Sequence, residues 1–226
     1  MLSKVTPATP SNLDAAVAAH RHGRVPAELR REQILVLAAE LFAERGFAHT
    51  SMDTLAQRAG VTKPVIYTLV GSKDELFRQC VRRAADALAE AITTAVDAEA
   101  HPAERMRVGA KAFFDFVADS GSAYTALLAG LGTDFSDELA VTRRRLAEVV
   151  TGLTARGLRN LGHEPDPAHI EAVAHLVNGA LESLALWWAD HPERSADELA
   201  DLVARFTVPG IVALVADPPP DWSIKP

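Results

Sequence analysis

From Ile34 onward the apolar residues recur with the period of an α-helix, and glycine or polar punctuation divides them into short segments. Ile34, Ala38, Leu41 and Phe42 share one face of a first helix, and Gly46 marks its stop. Phe47 is expected to pack back before Thr50 or Ser51 caps a second helix, whose buried stripe is Met52, Leu55, Ala56 and Ala59. Gly60 supplies the left-handed residue that ends this helix. Thr62 is a natural N-cap for a third, and Pro64 is tolerated in a first turn, where its missing N–H would have no intrahelical partner. Ile66, Leu69 and Val70 then face inward, and Ser72-Lys-Asp-Glu75 is a capping box opening a longer helix through about Ala95.

From about Pro102 amphipathic helices continue, with breaks expected at Ser120-Gly121, near Gly130–Gly132, at His163–Pro167 and at His191-Pro192. Ser195-Ala-Asp-Glu198 is a second capping box, starting a last helix through about Val215 that Pro209-Gly210 should kink or shorten. The tail DPPPDWSIKP cannot be helical, and no strand pattern, internal repeat or low-complexity tract stands out. Residues 1–27, rich in Ala, Pro, Thr and Ser without a sustained period, are expected to form a flexible arm. Its basic cluster, His20 to Arg24, reads as part of a solvated tail, although such an arm can also reach phosphates or a minor groove.

Charge changes this picture by splitting the chain. The net charge is −7, yet residues 20–83 carry 11 Lys/Arg against 7 Asp/Glu, while residues 84–226 carry 11 against 22. A mildly basic head on an acidic body suits a molecule that presents one end to a polyanion, because local field outweighs total charge there. The single cysteine, Cys80, excludes an internal disulfide framework and fits a reducing compartment. No apolar run reaches the roughly 18 to 20 residues of a membrane span, and the first residues lack the apolar core of a secretory signal, so a cytoplasmic location and no membrane partner are expected.

Three short helices with a tight turn between the second and third are the plan of a helix-turn-helix, in which one helix enters a DNA major groove. The outward residues of the third helix are Thr62, Lys63, Pro64, Val65, Tyr67 and Thr68. Thr62 and Tyr67 can donate to phosphate oxygens, Lys63 can meet a phosphate or a guanine edge, and Val65 and Pro64 can touch a thymine methyl. Lys73 stands just beyond, suited to a phosphate at the groove edge, and the amides at Thr50 and Ser51 open a helix N-terminus that can take another.

The specific residues go further. Gly46, Phe47, Thr50, Ser51, Leu55, Ala56, Ala59, Gly60, Val61, Lys63, Tyr67, Ser72, Lys73 and Leu76 fall at spacings that closely resemble the signature of the TetR family of transcriptional regulators. Leu69 and Val70 depart from it, since many members carry aromatic or His residues there; the departure bears on the operator sequence rather than on the fold. The resemblance implies an all-α protein: a three-helix DNA-binding head at residues 28–73, after a flexible arm at 1–27. A larger helical ligand-binding and dimerisation domain would follow at 74–216, then a tail at 217–226. It also implies a dimeric regulator, a repressor on a palindromic operator, released by a small hydrophobic effector.

Within that body, residues 167–190 put Ile170, Ala174, Val177, Leu181, Leu184 and Trp188 in one broad stripe, and the last helix offers Leu199, Leu202, Val203, Phe206, Ile211 and Leu214. These faces are expected to form a four-helix interface between two subunits, with Ala180 and Ser183 allowing close approach. The expected effector lining is Phe113, Phe114, Phe116, Val117, Tyr124, Leu127, Leu128 and Trp187, with Tyr124 and Asn178 as orienting polar groups. No catalytic constellation, cofactor motif or metal-ligand spacing is present, so no enzyme is expected. A metal- or redox-responsive regulator using the histidines or Cys80 is the alternative, and a helical enzyme or carrier with a relic head is a remoter one.

Overall fold

The computed structural model describes residues 10–20, 25–99, 101–119, 136–160, 162–164 and 166–216, all helix, turn or connection. The helices are α1 (Pro10–Ala18), α2 (Ala27–His49), α3 (Met52–Ala59), α4 (Lys63–Val70), α5 (Lys73–Ala98), α6 (Pro102–Asp119), α7 (Ser136–Asn160), α8 (Pro167–Ala189) and α9 (Ala196–Ala216). No strand occurs among the described residues. The all-α fold expected from the periodicity is the one observed. The chain divides into two units inside α5, between Ala87 and Leu88.

The first unit is a helical head. Gly46, at φ +75°, breaks α2 where the sequence demanded a stop, and the chain returns through Phe47. Phe47 packs with Phe42 and Phe77 at centroid distances of 5.8 and 5.0 Å, and Phe42 meets Phe77 edge-on at 5.2 Å. Ile34, Ala38, Leu41, Leu55, Ile66 and Leu76 are fully or almost fully buried between α2, α3, α4 and the start of α5. The core therefore uses the apolar stripes read from the sequence.

One expectation for the ends of the chain is corrected. Residues 10–18 are not a flexible arm but the helix α1, packed on α2 with Leu13 buried and Ala16 and Val17 half-buried. That i, i+3, i+4 spacing is too short to stand out in sequence, and only the docking surface on α2 makes it a helix. At the other end, α9 reaches Ala216, the extent expected, with Pro209 inside it. Pro209 and Arg205, whose carbonyl the proline cannot engage, both lie on the exposed face. The cluster His20–Arg24 lies largely, and the tail from Asp217 wholly, outside the described residues.

In the second unit α9 packs along α6 and also meets α8. Arg107 and Lys111 of α6 face Asp197 and Asp201 of α9 across that contact, with Lys111 Nζ 3.6 Å from Asp197. The capping box of α9 is complete, since Glu198 N–H donates to Ser195 Oγ at 3.2 Å and Ser195 N–H to Glu198 Oε2 at 2.9 Å.

Candidate nucleic-acid interface and effector cavity

The turn between α3 and α4 is built by three residues. Gly60 adopts φ +64°, ψ 34°, a left-handed conformation that places its N–H on Gln57 O and the Val61 N–H on Ala56 O, closing the end of α3. Val61 packs on the core and Thr62 starts α4. Ser51 caps α3 by accepting from Thr54 N–H at 3.1 Å. Arg30 Nη1 donates to the Ala59 carbonyl at 3.1 Å, satisfying the end of α3 from α2. Gln79 Nε2 does the same for α4 by donating to Val70 O at 2.9 Å. Neither tie was legible in the sequence, because each joins residues distant along the chain.

Ile66 and Val70 are buried, and Leu69 is half-buried against the same core, so α4 is anchored along one side. The departures at Leu69 and Val70 therefore serve packing. On the opposite side Thr62, Lys63, Pro64, Val65, Tyr67 and Thr68 are all exposed, Tyr67 at 47%. Thr62 makes no side-chain capping bond, so its exposed hydroxyl is open to a phosphate. Thr68 Oγ1 instead donates to Pro64 O at 2.9 Å, back along its own helix. Lys63 Nζ sits 2.8 Å from Asp53 Oδ2 of α3, and this hydrogen-bonded carboxylate raises the lysine above its ordinary pKa. Asp53, an exposed carboxylate in the first turn of α3, carries no signal in the sequence that pairs it with Lys63.

Thr50 and Lys73 are placed differently from the expectation. Thr50 is buried; its N–H donates to Phe47 O, and its hydroxyl meets Leu41 O at 3.1 Å and Gly46 O at 2.9 Å. It fastens the end of α2 and has no group left for a phosphate, which leaves Ser51 alone on the surface at that corner. Lys73 Nζ donates to Ala48 O at 3.3 Å and lies 4.4 Å from the centre of the Phe47 ring. It is half-buried but still at the rim of the unit.

The second unit contains a cavity of about 400 Å³, within the range of small-molecule sites. Its walls are Ile92 and Val96 of α5, Met106, Gly109 and Ala110 of α6, Val150, Leu153, Thr154, Gly157 and Leu158 of α7, Val177 and Leu181 of α8, and Val208, Ile211 and Val212 of α9, with His101 and Arg105. None of the residues expected as effector lining is among them. Phe113, Phe114 and Val117 are buried in the core, Phe113 edge-on to Phe114 at 5.2 Å and Phe114 edge-on to Trp188 at 5.7 Å. Phe116 is half-buried, and Trp187 is exposed with its ring stacked on His191 at 3.9 Å. Asn178 follows Val177 on α8 and buries its Nδ2 without a hydrogen-bond partner among the described residues. Tyr124, Leu127 and Leu128 lie outside the described residues. Aromatic residues drew the sequence reading because they dominate many pockets, whereas here aliphatic stripes, indistinguishable from core, supply the walls.

The stripe expected to meet a partner subunit is divided between core and surface. Ile170, Ala174, Val177, Leu181, Leu199 and Val203 are buried inside the chain. Leu202 and Phe206 of the expected stripe are exposed, Phe206 at 81%, together with Leu176 at 74%, Leu186, Trp187 and Val212. On α8 the exposed apolar residues are not those of the expected stripe, a difference that periodicity alone cannot resolve.

Cys80 is buried, and burial pushes its thiol up to about 12. Among the described residues no group of three His, Cys, Asp or Glu could hold a metal ion, and no helix is long and apolar enough to cross a membrane. His169 faces Asp166 at 3.4 Å, while His163 and His175 stand separately exposed.

A buried helix pair, a glycine turn and a helix whose free side carries hydroxyl, cationic and aromatic groups define a helix-turn-helix DNA-binding protein. Residues 34–80 match the bacterial regulatory proteins of the TetR family, and residues 102–210 match the tetracyclin-repressor-like C-terminal domain. The transcriptional activator FasR of Mycolicibacterium smegmatis is 28% identical over 194 residues, spanning 84% of this chain and 87% of that protein. An HTH-type transcriptional regulator of Mycobacterium tuberculosis is 30% identical over 183 residues, 80% of this chain and 85% of that one. The solved structure of a TetR-like regulator from Rhodococcus sp. RHA1 is 32% identical, covers 84% of this chain and 99% of its own, and superposes with a TM-score of 0.65. The chain belongs to the TetR family of helix-turn-helix transcriptional regulators, and is not an enzyme.

Proposed function

We propose that this regulator is a homodimeric repressor that binds a palindromic operator through α4 and leaves it when a small hydrophobic effector enters the cavity of the second unit. The observation that carries the reading is α5. This one helix gives Leu76, Phe77 and Val81 to the core of the head and Ile92 and Val96 to the wall of the cavity. An effector that moves the wall of α5 moves an element on which α4 rests. For release, the effector must bind the off-DNA conformation more tightly, with a coupling of about 1 to 3 kcal/mol.

The dimer is supported by the exposed apolar residues of α8 and α9 and by the match between two-fold symmetry and two half-sites. The division of the chain into arm, head, body and tail is retained, with α1 added to the head. A second reading, activation, is favoured by the likeness to FasR. Both use the same DNA contacts and differ in where the operator lies relative to the promoter. The test is operator selection from random duplexes, followed by binding of the Lys63→Ala, Tyr67→Ala double variant. Loss of at least a hundredfold in operator affinity with unchanged helicity is expected, and unchanged affinity would overturn the assignment of α4.

A further inference from the structure

The cavity is lined mainly by aliphatic side chains, apart from Thr154 of α7 and one cluster at the junction of α5 and α6. Among its lining residues no Phe, Tyr or Trp is present, so a flat aromatic ligand would find no ring to stack on. No Asp or Glu lines it either. The one permanent charge is the guanidinium of Arg105, which is half-buried. Its Nε–H donates to the Glu99 carbonyl at 3.1 Å, which fixes the plane of the group. Nη1 passes Gly157 of α7, where a Cβ would lie 3.7 Å from it. Neither terminal nitrogen has a protein acceptor among the described residues. The nearby Glu99 carboxylate is turned onto the His101 N–H at 2.6 Å. The half-buried guanidinium keeps its terminal nitrogens at the edge of the cavity, where an anionic group can join them. His101, one turn earlier, adds its imidazole to the lining at the same place.

We infer that the cavity takes a ligand with an aliphatic chain and one anionic oxygen head, the chain lying along Ile92, Val150, Leu153 and Ile211 and the head on Arg105. This rests on the cavity being the effector site and names what that effector is chemically. The anionic head can be a carboxylate or a phosphate monoester, and both satisfy the two-pronged guanidinium.

The test is calorimetric titration of the full chain with dodecanoate, dodecyl phosphate and dodecanol below their aggregation limits. One or both anions should bind at least tenfold more tightly than the alcohol, as a charge-assisted bond provides. Whichever anion is tighter identifies the source of the head. Each added methylene should tighten binding roughly fourfold until the cavity is filled. Arg105→Gln should lose the preference for the anions while binding dodecanol as before, which also reports that the variant is folded; Arg105→Lys should keep part of the preference. Equal binding of anions and alcohol, or a preference that survives Arg105→Gln, would overturn the assignment of the head and leave the cavity as the effector site. Saturable binding by none of the three probes would overturn the aliphatic ligand. Val150→Trp fills the cavity and should abolish binding of every probe. Binding that persists in this variant would place the ligand elsewhere and overturn the cavity as effector site.

Discussion

Asp53 and Lys63 hold each other across the turn of the DNA-binding head, both largely exposed. On the proposed role of Lys63, the carboxylate occupies the ammonium group that a phosphate or a guanine edge would engage, and duplex binding would exchange one anion for another. Asp53→Asn is expected to raise affinity for non-operator duplex by roughly two- to fivefold, the scale of an exposed ion pair. Filter binding at two salt concentrations measures it, and an unchanged affinity would show that Lys63 does not reach DNA. Cys80 lies at the other extreme of accessibility. Because burial favours its neutral thiol, with a value of about 12 against about 9 ordinarily, the unfolded chain loses this proton first as pH rises. Its contribution to stability is full below about pH 9 and is lost progressively toward pH 12. Denaturant unfolding at pH 8 and pH 10.5 should show that loss in the wild type and less of it in Cys80→Ala. Thiol labelling at pH 8 should proceed only as fast as the fold opens, and fast labelling would revive a redox role.

Among the elements, α2 to α4 were written plainly in the chain. Their stripes, the stop at Gly46 and the left-handed turn at Gly60 are local features that a 3.6-residue period and the backbone freedom of glycine express directly. Helix α1 was not, since nine residues are too few to be stable without a surface to dock on. Leu13→Ala should weaken that docking by about 2 kcal/mol. Amide exchange across Pro10–Ala18 should then quicken by roughly thirtyfold while the head melts nearly as before. Unaltered protection would mean that Leu13 is not what holds α1. The turn of the head is defended at this scale too: Thr50, expected on the surface, bonds to both sides of the break in α2. A buried threonine and an exposed one look alike in a sequence, because the hydroxyl suits either when its partners are backbone carbonyls.

For the whole molecule, the exposed leucines and Phe206 on α8 and α9 are unfavourable in an isolated chain and favour a second copy. Leu202→Glu with Phe206→Glu should give a monomer in sedimentation, with the melting temperature of the single chain retained. Operator affinity should fall at least a hundredfold because one head then binds one half-site. A dimer persisting in this variant would place the interface on another face. The sequence by itself determined the helical class, the DNA-binding head, the exposed side of α4 and the family, because each is recorded in local spacing. It did not determine which apolar stripe is core, which is surface and which is cavity, since a leucine repeats with the same period in all three. Only the packing of α5 to α9 decided that Phe113 and Phe114 fill space, that Phe206 faces outward, and that Arg105 is set against aliphatic walls. Those assignments depend on what stands opposite each side chain, which no single helix encodes.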